Sequence, residues 1–344
     1  MFYTNHLAEF AGLPVVEFPF ERTDQGWRQE LQRVHERGGD PSGSPSAASV
    51  AWRLRIDGRT ESEDGEAGYV ARFLSEVGAE QVRALVIGDW DDSSDQGLYD
   101  AVNLLVEHAD ALSNLRSVYV GDMGFEECEL SWIDHSDLAP LVVAFPRLEE
   151  IAVRGADGMG DDVLALHVPS HDSLRSLTIE CGGLPGSTTR GVASSGLPAL
   201  EHLELWLGVE HYGGSTSPED LAPVLSGEAF PRLKYLGVRN AQKVDEWVPV
   251  LAEAPVVRRV EVLDLSLGIL TDEGGRMLVD RIEAFSGLRG LDLHHHFMSE
   301  EMVERVRSAF AGVGVETDLS YRLGIDYDED EDDGEPRYYT AVAE

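Results

Sequence analysis

The sequence predicts an α/β solenoid: a curved parallel sheet of about nine rungs on the concave side, with mostly helices on the convex side. Three observations carry this reading. A nine-residue pattern recurs: apolar, two variable, apolar, one variable, apolar, then a turn. Its clear copies start 26 to 33 residues apart, about 29 on average. Most stretches between copies carry apolar residues at helical spacing.

The clear copies are VRALVIGDW (82–90), LRSVYVGDM (115–123), LEEIAVRGA (148–156), LRSLTIECG (174–182), LEHLELWLG (200–208), LKYLGVRNA (233–241), VEVLDLSLG (260–268) and LRGLDLHHH (288–296). A ninth, AWRLRIDGR (51–59), keeps Leu54 and Ile56 behind Ala51. Side chains alternate along a strand, so the fourth and sixth positions share one face. Pairs such as Leu85/Ile87, Leu203/Leu205 and Leu263/Leu265 therefore point the same way. Strands this short cannot bury that face alone, but stacking makes one continuous apolar ladder. Parallel strands need a return of a dozen or more residues, and the observed spacing provides it.

The returns read as helices over 67–79, 97–112, 135–145, 217–226, 245–254, 271–285 and 299–310. In 217–226, Ser217 is the expected N-cap, followed by Pro218. In 299–310, Ser299 caps and Glu300 and Glu301 sit in the positive first turn. The short spacings hold Gly-rich links such as GGLPGS (182–187), where no helix is expected.

Residues 1–50 read as an N-terminal cap that hides one open end of the ladder, with LPVVEF (13–18) extended. Residues 26–31 could start a short helix or a hairpin partner, and 38–49 form a Gly/Pro/Ser-rich loop. The repeat domain spans 51–323 and an acidic tail 324–344. A calcium loop in that tail fails on chemistry: with Gly334 in the sixth position, the twelfth is Thr340, which cannot chelate as the bidentate Glu does.

With 64 Asp+Glu against 27 Lys+Arg, the formal charge is −37. This argues against nucleic acid and anionic lipid as partners, because both are bound by surplus Lys and Arg. Cys128 and Cys181 read as free thiols in a reducing cytoplasm. The N-terminus lacks the features of a secretory signal, and no apolar run is long enough to span a membrane.

The quoted copies resemble the L-x-x-L-x-L core of the leucine-rich repeat superfamily. The long helical returns are similar to its ribonuclease-inhibitor-like type. The Asn that many such repeats carry after the strand is mostly replaced here by Gly, Asp or Ala. A narrower resemblance rests on EFAGLPVVEF (9–18), ELSWIDHSDLAPLVVAFPRLEEIAVRG (129–155) and LPALEHLELWLG (197–208). These look like a family of bacterial cytoplasmic leucine-rich repeat proteins of unassigned activity, whose genes lie near radical-SAM and ATP-grasp-like enzymes. That resemblance implies an accessory role in a modification pathway and assigns no catalytic residue.

Positions three, five and seven of each motif face away from the ladder and are expected to line the concavity. Its middle gathers Glu150, Arg154, Glu180, His202, Glu204, Trp206, Tyr235 and Arg239. Trp, Tyr and Arg dominate binding hot spots, so a protein or peptide partner is expected there. A polar lining that merely keeps the face wet is the bland alternative. Post-strand loops with Asp89, Trp90, Asp91 and Asp122 form a second candidate, for a basic peptide, a cation or a small molecule.

No GxSxG or GxxxxGK[ST] motif occurs, and GADGMGDDV (155–163) lacks the third Gly of a dinucleotide loop. His294, His295 and His296 alternate in direction and cannot converge on one ion. An enzyme reading would rest on the His202/Glu204/Glu180 region, with metal assistance. The expectation is a non-catalytic scaffold that needs no cofactor, with its partner and oligomeric state left open.

Overall fold

The paired aliphatic side chains lie inside, as their alternation requires. Leu85, Ile87, Val118, Val120, Leu203, Leu205, Leu236, Val238, Leu263, Leu265, Leu291 and Leu293 are each at most 1 % exposed. Burial of each such side chain is worth about 1.5–3 kcal/mol. The computed structural model describes residues 5–21, 26–37, 46–56, 65–90, 97–157, 163–324, 326–327 and 336–342. They divide at Leu177 into an N-terminal and a C-terminal unit.

The N-terminal unit carries strands β1 (Glu9–Phe10), β2 (Leu13–Phe18), β3 (Ala51–Ile56), β4 (Ala84–Trp90) and β5 (Ser117–Val120). Next come β6 (Asp134–His135), β7 (Glu150–Arg154) and β8 (Ala156–Asp157). Its main sheet runs β1-β2-β3-β4-β5-β7, while β6 and β8 pair separately. Only β1 and β2 are antiparallel in that sheet, joined through Ala11 and Gly12 in left-handed backbone. Strand β2 pairs parallel with β3, Val15 opposite Ala51, so part of the expected cap is itself a rung. Helix α1 (Gly26–Arg37) settles the two readings of 26–31 in favour of a helix. Phe18, Trp27, Trp52, Tyr69 and Phe73 pack ring on ring at 5.3–5.9 Å, closing the ladder on this side. Helices α2 (Gly65–Val77) and α3 (Gly97–Glu107) occupy the returns expected to be helical. Helix α4 keeps only Ala139–Ala144 of its expected span, because β6 takes up Asp134 and His135.

The C-terminal unit stacks β9 (Ser176–Glu180), β10 (His202–Gly208), β11 (Tyr235–Ala241), β12 (Val262–Asp264), β13 (Gly290–Asp292) and β14 (Glu316–Asp318) in that order. Strand β14, in the stretch GVETDLSYR (314–322), is a rung the sequence reading missed, because Thr317 stands where an aliphatic is usual. The Gly-rich link after β9 corrects the expectation of no helix: α5 spans Gly186–Ala193 and buries Thr188, Thr189, Val192 and Ala193. Over 217–226 only α6 (Ala222–Leu225) forms, since the Ser217 amide and hydroxyl both donate to Asp220 rather than capping a longer helix. Helix α7 is Val244–Glu253. Thr271 caps α8 (Asp272–Asp280), and the chain breaks at Arg281 before α9 (Ile282–Phe285). Ser299 caps α10 (Glu300–Gly312) by accepting from the Met302 amide, as expected.

Two features recur from rung to rung. Position two of the motif carries charges that pair across neighbouring strands: Arg116 with Glu149 at 3.3 Å, Lys234 with Glu201 at 2.6 Å and Arg289 with Glu261 at 2.7 Å. Asn240, Leu267, His295 and Tyr321, at the eighth position of four consecutive rungs, all have left-handed backbone. The returning segment 338–342 straps three of these turns. The Ala341 amide donates to the Leu267 carbonyl, the Asn240 side chain bonds Val342 in both directions, and Tyr339 packs on His295.

Candidate functional site

The face opposite the ladder differs between the two units. In the N-terminal unit the chain covers it with its own β1–β2 hairpin. Phe10, Ala51, Ala84, Val86, Tyr119 and Ala152 form one buried cluster, with Leu7, Leu13 and Val15 packed against it. Phe10 meets Tyr119 edge-on at 5.7 Å.

Asp122 holds the covering segment down. Its carboxylate accepts from the Leu7 amide at 3.0 Å and from Arg53 Nε at 2.8 Å, while Arg53 Nη2 donates to the Leu7 carbonyl. His6 bridges the Asp122 carbonyl and Glu127. Burial opposes the Asp122 charge, but His6, Arg53 and the Leu7 amide outweigh it and hold the carboxyl below its usual value.

These contacts correct several expectations. Asp122 is fully buried, so it is a clamp and not a rim acid. Trp90 is also inside, donating to Glu66 at 2.8 Å. Arg154 is buried, its guanidinium 5.6 Å from the Tyr119 ring and donating to the Met123 carbonyl. Asp89 is half-buried, and Asp91 lies outside the described residues. Glu150 is half-buried in a cavity of about 480 Å³ that Ala84, Ser117 and Ser176 also line, with Arg83, Arg116, Glu149 and Arg175 around it.

In the C-terminal unit the same face is polar. Strand register places Glu204, Gly237, Asp264, Asp292 and Asp318 in one file across β10 to β14. At each of the last three rungs the carboxylate accepts the backbone N–H two residues on: Asp264 from Ser266, Asp292 from His294, Asp318 from Ser320. The next file reads Trp206, Arg239, Ser266, His294 and Ser320, and supplies the compensating cations.

Arg239 lies between two of the acids, donating to Glu204 at 2.5 Å and standing 3.2 Å from Asp264. Gly237 makes this possible. A side chain there would meet Tyr235 Cε1 at 3.1 Å and Glu204 Cγ at 3.2 Å. The Tyr235 ring uses that space, and its hydroxyl donates to Asp264 at 2.6 Å while lying 3.3 Å from Glu204. His202 stacks on Tyr235 at 4.0 Å. Burial opposes the Glu204 charge, but His202, Arg239 and Trp206 overcome it and bring the carboxyl down to about 2. A carboxylate so held is a poor proton acceptor near neutrality.

Trp206 corrects the strongest expectation drawn from this face. It is on the expected side, yet only 1 % exposed. Its Nε1 donates to Glu204 at 2.7 Å, and the Arg239 guanidinium lies 5.3 Å from its ring. The indole is therefore the floor under Glu204 and Arg239, not an anchor offered to a partner. Glu180, His202, Tyr235 and Arg239 remain half-buried on this face.

Sequence reasoning missed Asp292, His294 and Asp318 as candidate site residues. The signal was present: Asp recurs before Leu at the fifth position of three consecutive rungs, 264, 292 and 318. Asp292, His294 and Asp318 place potential metal-ligating atoms within 4.8 Å of one another. As expected, the three histidines do not converge. His295 packs on Phe297 and Tyr339, and His296 is buried with Nε2 at 3.2 Å from the Leu319 carbonyl.

No family model matches the chain, and no curated protein does. Among solved structures, a protein from Bacteroides fragilis is similar over 87 % of this chain and 84 % of its own, at 25 % identity and a TM-score of 0.70. An internalin (inlF) from Listeria monocytogenes is similar over 78 % of this chain and 67 % of its own, at 15 % identity and a TM-score of 0.40. No helix among the described residues is long and apolar enough to cross a membrane.

Proposed function

We propose that the chain is a non-catalytic leucine-rich repeat scaffold that holds a basic protein or peptide segment against the polar sheet face of its C-terminal unit. The carrying observation is the file of carboxylates Glu204, Asp264, Asp292 and Asp318 on that face. Strands in register repeat every 4.8 Å or so, and an extended peptide laid across them can meet successive acids with Lys or Arg. The chain's charge of −37 favours encounter with such a partner at long range. The recurring motif supports the repeat assignment, and the narrower sequence resemblance supports an accessory role in a bacterial modification pathway. Glu204 and Asp264 are bound into the Arg239 network, so the other end of the file, half-buried Asp292 and exposed Asp318, makes the discriminating contacts.

Fluorescence anisotropy with labelled Arg/Lys-rich and Asp/Glu-rich peptides tests this in the presence of EDTA. The basic peptide binds the wild type, and the double change Asp292→Asn/Asp318→Asn weakens it at least tenfold, about 1.4 kcal/mol. The control Glu107→Gln, an exposed acid of the other unit, leaves affinity unchanged. Equal loss in both variants, or no preference for the basic peptide, overturns the reading.

A further inference from the structure

The compensation of charge along the carboxylate file is uneven. Glu204 and Asp264 share Arg239, and Tyr235 adds a hydroxyl. Asp292 and Asp318 have His294 beside them, with Asp292 Oδ1 2.7 Å from its Nδ1. Two carboxylates facing one imidazole leave this end of the file short of positive charge.

The geometry follows from the sequence. Asp292 and His294 stand two residues apart, so both project from the same side of the chain as it leaves β13. The parallel register sets Asp318 of β14 directly beside Asp292. The backbone N–H bonds from His294 and Ser320 occupy one oxygen of each carboxylate and fix its orientation. Oriented carboxylates next to an imidazole are what a metal site requires of its supports.

We propose that Asp292, His294 and Asp318 form a binding site for a first-row divalent cation, borderline Zn²⁺ or the harder Mn²⁺. The imidazole favours Zn²⁺ over Ca²⁺ and Mg²⁺, which take oxygen ligands, and the two carboxylates suit Mn²⁺. Ligand atoms around a tetrahedral Zn²⁺ with bonds of about 2.0–2.1 Å lie roughly 3.3 Å apart. Atoms already within 4.8 Å reach that spacing by small side-chain rotations. The cation takes the place of the proton between His294 Nδ1 and Asp292. Three protein ligands leave at least one position open for water or a donor group from a partner. The inference goes beyond the scaffold reading but shares Asp292 and Asp318 with it, so cation and basic peptide compete there; because the peptide is tested in EDTA, peptide binding can succeed where metal binding fails, and the reverse.

The test uses the full chain, produced without a polyhistidine tag and stripped with EDTA. Calorimetric titration with ZnCl₂ and with MnCl₂ measures stoichiometry and affinity. Co²⁺ reports the ligand set through its visible absorption. One equivalent of Zn²⁺ or Mn²⁺ binds with a micromolar or tighter Kd. His294→Ala and Asp318→Asn each weaken it at least tenfold and alter the Co²⁺ spectrum, while Glu304→Gln on α10 changes neither. Circular dichroism melts confirm that the variants remain folded. Binding no tighter than millimolar, or binding that survives both site variants, overturns the proposal.

Discussion

The two units use the same strand pattern and leave the face opposite the ladder in opposite conditions. In the N-terminal unit the variable positions are Ala84, Val86, Tyr119 and Ala152, and the chain folds Phe10 and Leu13 onto them. In the C-terminal unit they are Glu204, Asp264, Asp292 and Asp318, and the same face remains polar. A strand motif fixes which side chains point away from the core. Whether they meet water depends on what the chain has available to cover them.

Asp122 and Asp318 make the contrast measurable. Asp122→Ala leaves Arg53 buried without its carboxylate, and removing one partner of a buried pair costs about 3–5 kcal/mol. Urea unfolding of the variant therefore shows a large drop in midpoint. Phe10→Ala removes the aromatic anchor of the covering hairpin and costs about 3 kcal/mol, with a rise in dye binding to the uncovered apolar face. Asp318→Asn, on the exposed face, changes stability by no more than about 0.5 kcal/mol. A comparable loss for the two aspartates would break the contrast.

Acid sharpens it further. Glu204 has its carboxyl lowered from 4.5 to about 2, so its stabilising contribution is complete above 4.5 and is lost as pH falls from there toward 2. Glu204→Gln removes that part of the acid sensitivity in a pH series of thermal melts. His6 acts in the other direction with a smaller effect. Its pKa is raised, chiefly by the hydrogen bond to Asp122 and with help from Glu127, against burial and Arg53. Its contribution is complete below 6.5 and disappears as pH rises through the raised value. Hydrogen exchange at the Leu7 amide, corrected for intrinsic rate, therefore speeds up between pH 5.5 and 8.5, and His6→Ala removes the change.

The ladder was legible because period-two alternation is a local property, and Leu203 and Leu205 are buried where it put them. The covered face was not legible, since nothing local in residues 5–13 announces that Phe10 will meet Tyr119. Trp206 shows the same gap. Its direction follows from its position, but its burial depends on Arg239 closing over it from the neighbouring rung, beside Glu204 of its own. Helix α5 escaped notice because glycines argue against a helix, whereas Thr188, Thr189 and Val192 gain enough contact to override that preference. The trio Asp292, His294 and Asp318 needed the register between β13 and β14, which a sequence reader obtains only after recognising Thr317 as a rung.

The charges at position two give the stack a way to reject misalignment. Glu149, Glu201 and Glu261 each neutralise a basic residue on an adjoining rung. Position two alternates in sign from Glu149 to Arg289, so a rung duplicated within that run, or an inner one omitted, would set like signs side by side along this edge, although its leucines would still fit. Each exposed pair adds little to stability by itself. Together they act as an ordering key, telling otherwise interchangeable modules which neighbours belong to them.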